Sequence, residues 1–214
     1  MTNSFIAIKG NFLENSDVIF TNFKYVDTNQ NKQFDDWQVF NDYLFDNYFD
    51  FANNDTSIRG IWSDNGWTVI SDPEMVDTIE EKTLLNLSRI LNSEIITFII
   101  QSTSNSFGFT VYNDTIKRHF FVSDGKITDN LYIPLEQEKG LKIDENIFSH
   151  DILKLAGKLG IDLEGKSKRT YTVKQLTYND EMKNELKQLK HQKNQATNTK
   201  KSWWNFFNRK KNKY

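Results

Sequence analysis

The chain has 214 residues, 37% of them hydrophobic, 14% aromatic and 26% charged, with no Cys and a formal charge of −2. That length suits one domain of ordinary size plus an extension, and the absence of Cys excludes disulfides and thiolate metal sites and fits a reducing, cytoplasmic setting. The small net charge conceals a polarity: residues 183–214 hold ten Lys or Arg against one acid, a balance of +9, which leaves −11 for residues 1–182.

Taken in chain order, MTNSFIAIKGNF lacks the basic-then-apolar pattern of a secretory signal. SFIAIKGNF and DVIF read as short strands. NKQFDDWQVFNDYLFDNYFDFA reads as a helix, because Phe34, Trp37, Phe40, Leu44 and Tyr48 recur at steps of three and four. SIRGIWSDNGWTVISD is a predicted hairpin turning at Asn65-Gly66, a pair suited to positive φ. Thr78 and Glu81 are spaced as a capping box before a helix carrying Leu84, Leu87 and Leu91. A four-strand meander is expected next. EIITFIIQS suits a central strand, and SFGFTVY sets Phe107, Phe109 and Val111 on one face. IKRHFFVS and KITDNLYIP follow across Asn113-Asp114 and Asp124-Gly125. Its longest apolar run, IITFII, is far short of the roughly 20 residues that span a bilayer. Ser149 is placed to cap a helix with Ile152, Leu155, Ala156 and Leu159, stopped at Gly160. RTYTVKQLTY is the last strand, and a helix begins near Asn179 with Met182, Leu186 and Leu189.

The fold class expected is therefore α+β. A mainly antiparallel sheet, made of the central meander plus a hairpin, carries packed helices and a basic C-terminal extension. The expected organisation is a single domain over 1–178, a C-terminal helix over 179–192 and a flexible basic, aromatic tail over 193–214.

Several segments imitate chemical motifs. GIDLEGKS, Gly160 to Ser167, matches the phosphate-loop pattern letter for letter. A working loop needs a strand before it and a helix after it, so that a helix N-terminus meets the phosphates. Here the expected order is inverted, and Glu164 would repel a phosphate. DTNQNKQFDDWQ puts Asp27, Asn29, Asn31 and Asp35 at calcium-ligand spacing, but Lys32 and Gln38 stand where the loop needs Gly and Glu. An Asx-rich loop is the reading instead. His119, His150 and His191 share no metal-ligand spacing, and no G-x-S-x-G elbow occurs. No cofactor, metal or catalytic residue is assigned.

Two features point to binding. Asp42, Asp46 and Asp50 stand at i, i+4 and i+8 of the predicted helix, where like charges repel. They form either a solvated face or an acidic ridge that meets a basic protein partner. The second feature is the end, KKSWWNFFNRKKNKY. On a helical wheel Trp203, Trp204, Phe206 and Phe207 fall within an arc of about 160°, flanked by Lys200, Lys201, Arg209, Lys210 and Lys211. Such an element suits an anionic membrane surface or a partner groove. Folding back onto the body is the structural alternative. Single-stranded nucleic acid is a rival that ranks below these.

The stretch GWTVISDPEMV, followed by LLNLSRILNSEIITFIIQSTSNSFGFTVYNDTIKRHFFVSDGKI, resembles small bacterial domains that include immunity-type proteins of polymorphic toxin systems. The resemblance covers residues 60–130. It implies a non-catalytic protein that neutralises a toxin by binding it, and it implies no particular binding residues. The expectation is thus a non-catalytic cytoplasmic binding protein. A peripheral adaptor held on the inner face of the membrane by its tail is the alternative, and an enzyme with an unrecognised site ranks third.

Overall fold

The computed structural model describes residues 2–53, 56–141 and 147–188. Strand β1 (Thr2–Lys9) leads to helix α1 (Ser16–Asn22), then β2 (Tyr25–Asp27), β3 (Lys32–Phe34) and helix α2 (Trp37–Asn53). The hairpin β4 (Thr56–Asp64) and β5 (Trp67–Ser71) precedes helix α3 (Glu81–Ile90). The meander is β6 (Ile95–Gln101), β7 (Ser106–Asn113), β8 (Thr115–Ser123) and β9 (Lys126–Tyr132). A 3-10 turn (Glu136–Glu138), helix α4 (Ser149–Lys158) and β10 (Tyr171–Tyr178) follow. Contacts divide the chain into Met1–Thr177 and a second unit beginning at Tyr178. In that second unit residues 180–188 are helical, and Asn179 Oδ1 accepts the Met182 N–H at 2.9 Å as an N-cap.

The fold is α+β, built on one ten-stranded sheet in the order β2-β10-β4-β5-β1-β6-β7-β8-β9, with β3 also on β10. Beyond the hairpin and meander, β1 pairs antiparallel with both β5 and β6, and so joins the two into a continuous sheet. The hairpin turns at Asn65 (φ 44) and Gly66 (φ 82), the positive angles an Asn-Gly pair supplies. On one face Phe5, Trp62, Val69, Phe98, Phe107, Phe109 and Phe120 form an aromatic core with Phe40 and Leu44 of α2 and Leu155 and Ala156 of α4. Strand alternation sends Ile6, Ile8, Ile61 and Ile70 to the other face. They are buried there, as are Ile19 and Phe20 of α1 and Leu84 and Leu87 of α3.

Four local expectations are corrected. DVIF is not a strand but part of α1: Ser16, Ile19, Phe20 and Phe23 are buried, a spacing of three and four, while Val18 is exposed. The long helix starts at Trp37 rather than near Asn31, because Lys32–Phe34 pair with β10 and Asp36 Oδ1 accepts the Val39 N–H at 3.0 Å. Thr78 caps nothing. Its N–H and hydroxyl both go to Asp72 Oδ2, at 2.9 and 3.0 Å. Ser149 is the first helical residue of α4, with Phe148 as its N-cap. Asp151 Oδ2 reaches back to the Phe148 N–H at 3.1 Å, and backbone and Lys154 hydrogen bonds outweigh desolvation and lower the Asp151 pKa. The expected stop at Gly160 (φ 82) is present, with Ile161 N–H bonded to Ala156 O at 2.9 Å.

Candidate functional site

Helix α2 is clamped along one side. Phe40 and Leu44 are fully buried, and Gly60 of β4 lies so close that a Cβ there would stand 2.3 Å from Phe40 Cζ. Rings surround Phe40: Tyr171 at 4.8 Å, Trp37 at 5.6 Å and Trp62 at 5.8 Å between centroids. The outward side carries Asp42, Asp46 and Asp50, all exposed. Val39 and Phe49, 56% and 65% exposed, share it. At about 100° per residue these five side chains fall within an arc of about 100°. No Lys or Arg lies on α2. Asp50 stands in its last turn, where the helix dipole opposes a carboxylate. The three predicted acids are thus brought together on a rigidly held ridge, with two apolar residues among them that the charge pattern did not reveal.

The motif-like loops have structural roles. Gly160–Ser167 runs from α4 toward β10, and several of its N–H groups are already taken. Asp162 accepts from Glu164 N–H at 3.0 Å and Ser167 N–H at 2.9 Å. Arg169 then ties Asp162 (3.2 Å) to Asp64 (2.8 Å). A carboxylate therefore occupies the loop where a phosphate would need those groups. Asp27 closes an Asx turn with Asn29 N–H at 2.7 Å and pairs with Lys174. Among the described residues no group of His, Asp or Glu is arranged to hold a metal ion.

Beneath the hairpin lies a buried ionic cluster. Arg59, on β4, is fully buried. Its Nε donates to Asp77 Oδ2 at 2.7 Å and lies 3.3 Å from Asp72 Oδ1, and its Nη1 donates to Glu74 Oε2 at 2.6 Å. Tyr25 Oη accepts from Nη2 at 3.0 Å. One cation thus faces three carboxylates. Burial pushes Asp77 up to about 7; Arg59 opposes the shift and Asp72 adds to it. Burial alone would lower the Arg59 pKa, but Asp77 and Asp72 outweigh it and hold the guanidinium well above its ordinary value. The cluster fastens the segment leading into α3 to the sheet.

On the second face, past the start of α3, a cleft of about 270 Å³ opens among the described residues. Its floor comes from the alternate residues of the meander: Thr97 of β6, Gly108, Thr110 and Tyr112 of β7, and His119 of β8. Ile99 and Phe121 also line it, and Ile79, Glu81 and Asp129 stand around it. His119 Nδ1 lies 2.8 Å from Thr110 Oγ1. Its Nε2 lies 3.9 Å from Asp129 Oδ2, beyond hydrogen-bond reach. Burial raises the Tyr112 pKa, a shift that the neighbouring Thr110 and Thr97 oppose. Hydroxyl, imidazole and carboxylate stand in the order of a nucleophile relay, but the carboxylate is too far to orient the ring. The arrangement gathers hydroxyl, imidazole and carboxylate groups in one cleft. The sequence contained a signal for it: the same alternation that puts Phe107, Phe109 and Val111 in the core puts Gly108, Thr110 and Tyr112 opposite.

His150 is exposed on the first turn of α4, apart from His119. Lys200, Lys201, Trp203, Trp204, Phe206, Phe207, Arg209, Lys210 and Lys211, and also His191 and Leu189, lie outside the described residues. Among the described residues no helix is long and apolar enough to cross a membrane. No family model, curated protein or solved structure matches the chain.

Proposed function

We propose that this chain is a non-catalytic binding protein whose outward face of α2 receives a basic protein partner. One observation carries the reading: three carboxylates stacked on a single helix face, without a cation on that helix and with exposed Val39 and Phe49 among them. Local helix energetics disfavour that row, by repulsion along the face and by the dipole at its end. A basic partner reverses both terms. The charge of −11 over residues 1–182 adds long-range attraction, while the two apolar side chains supply the desolvated contact that charge alone does not. An immunity-type protein, which neutralises a bacterial toxin by occupying it, is the most specific form of this reading.

The test is Asp42→Lys combined with Asp46→Lys and Asp50→Lys. All three sites are exposed, so the melting temperature should change little. Capture of a basic partner at low salt should fall at least about a hundredfold, on the scale of close charge pairs across interfaces. Undiminished capture by the triple variant would remove α2 as the binding surface.

A second reading rests on the sequence of the basic, aromatic end. Four aromatics among Lys and Arg match the composition of segments that settle on anionic lipid. Removing residues 200–214 is expected to abolish co-sedimentation with phosphatidylserine vesicles and leave partner capture intact. Unchanged sedimentation would dispose of this reading alone.

A further inference from the structure

The cleft on the second face points to a separate site, and we propose that it binds a small organic amine, an ammonium group carried on a short apolar body. Among the described residues its boundary holds two carboxylates, Glu81 at the start of α3 and Asp129 on β9, and no Lys or Arg. An anion would enter against both charges. A cation would meet acceptors in Asp129, Glu81 and the floor hydroxyls, and an ammonium has donors and no acceptor to satisfy. Ile79, Ile99 and Phe121 offer apolar wall for the rest of the ligand. The volume, about 270 Å³, lies below that of ordinary drug-sized pockets, which start near about 300 Å³, so the ligand is small.

The room itself depends on Gly108. A Cβ there would lie 2.3 Å from the Phe120 carbonyl oxygen and 2.6 Å from the Phe121 ring. Glycine therefore lets β7 and β8 close together under the cleft without a side chain filling it. Tyr112, buried at 4% exposure, fixes the floor before any ligand arrives, and such preorganisation reduces the ordering cost of binding. The site is independent of α2, which packs on the opposite face of the sheet against the aromatic core.

Titration of the full chain with phenethylamine, followed by nuclear magnetic resonance at about pH 8 where the amine is cationic, tests the proposal. Phenylacetate serves as the anionic counterpart. The expected result is saturable shifts at His119, Thr110 and Ile99 with the amine and none with phenylacetate. Asp129→Asn and Glu81→Gln should each weaken binding about tenfold, the order expected for a partly screened charge contact. Both residues have side chains open to solvent, and a melting curve verifies that each variant folds. The α2 triple variant should bind the amine as the parent does. Absence of saturable shifts, equal shifts with phenylacetate, or affinity unchanged in both carboxylate variants would overturn the proposal.

Discussion

Replacing Arg59 by Leu is expected to remove a large share of the chain's stability. The substitution removes the cation that pairs with Asp72, Glu74 and Asp77. Breaking a buried pair from one side costs about 3–5 kcal/mol, against a typical total stability of about 5–15 kcal/mol. Urea unfolding would measure the loss. Adding Asp77→Asn and Glu74→Gln to Arg59→Leu should recover part of it, because the penalty comes from stranded charge rather than missing volume. A loss of under about 1 kcal/mol, the scale of an exposed pair, would contradict this account of the cluster.

The same cluster has a pH signature. The Asp77 carboxyl rises from its ordinary 3.8 to about 7, chiefly by burial. Between those values the unfolded chain releases the proton and the folded chain keeps it. The folded state binds more protons there, so stability from this group is greatest at low pH and falls as pH rises toward about 7. Asp77→Asn, which imitates the protonated form, should remove that slope. The difference in urea midpoint between parent and variant, followed over the window, isolates it from carboxylates such as Asp151 that act in the opposite direction.

Phe40→Ala is expected to cost about 3–5 kcal/mol and to weaken partner binding as well. Phe40 is fully enclosed, stacked on Tyr171 and edge-on to Trp62. Gly60 brings β4 against its ring and has no side chain of its own to fill the space. Because this ring seats α2 on the sheet, its loss should loosen the helix that carries Asp42, Asp46 and Asp50. Phe49→Ala gives the contrast: its ring is 65% exposed, so stability should hold while binding falls.

The elements legible in the sequence are those whose signals are local. Asn65-Gly66 and Asp124-Gly125 announce turns by the positive φ they adopt, and the period of two in β7 marks a strand. α1 was missed because a four-residue apolar run has no period of its own; only burial of Ser16 and Phe23 around it makes the helical spacing visible. The buried arginines were not legible for a different reason. Arg59 meets Asp77 across 18 residues, and Arg118 meets Glu138 across 20, so neither pairing follows from neighbouring residues. The acidic row could be read from its spacing, and its exposure from the aromatic stripe on the other side of α2. Val39 and Phe49 could not be assigned to the ridge, because apolar residues are counted toward the core by default. The cleft draws on all four meander strands and the entry to α3, and only the sheet register unites them.

The most direct measurement of the central claim is an interface map of the chain with its captured basic partner. Nuclear magnetic resonance cross-saturation from the partner reports which residues it touches. The α2 reading predicts that saturation concentrates on Val39, Asp42, Asp46, Phe49 and Asp50 and weakens together in the triple Lys variant. Saturation centred on another surface, such as the exposed Leu131, Tyr132 and Ile133 at the β9 edge, with α2 unaffected, would contradict it.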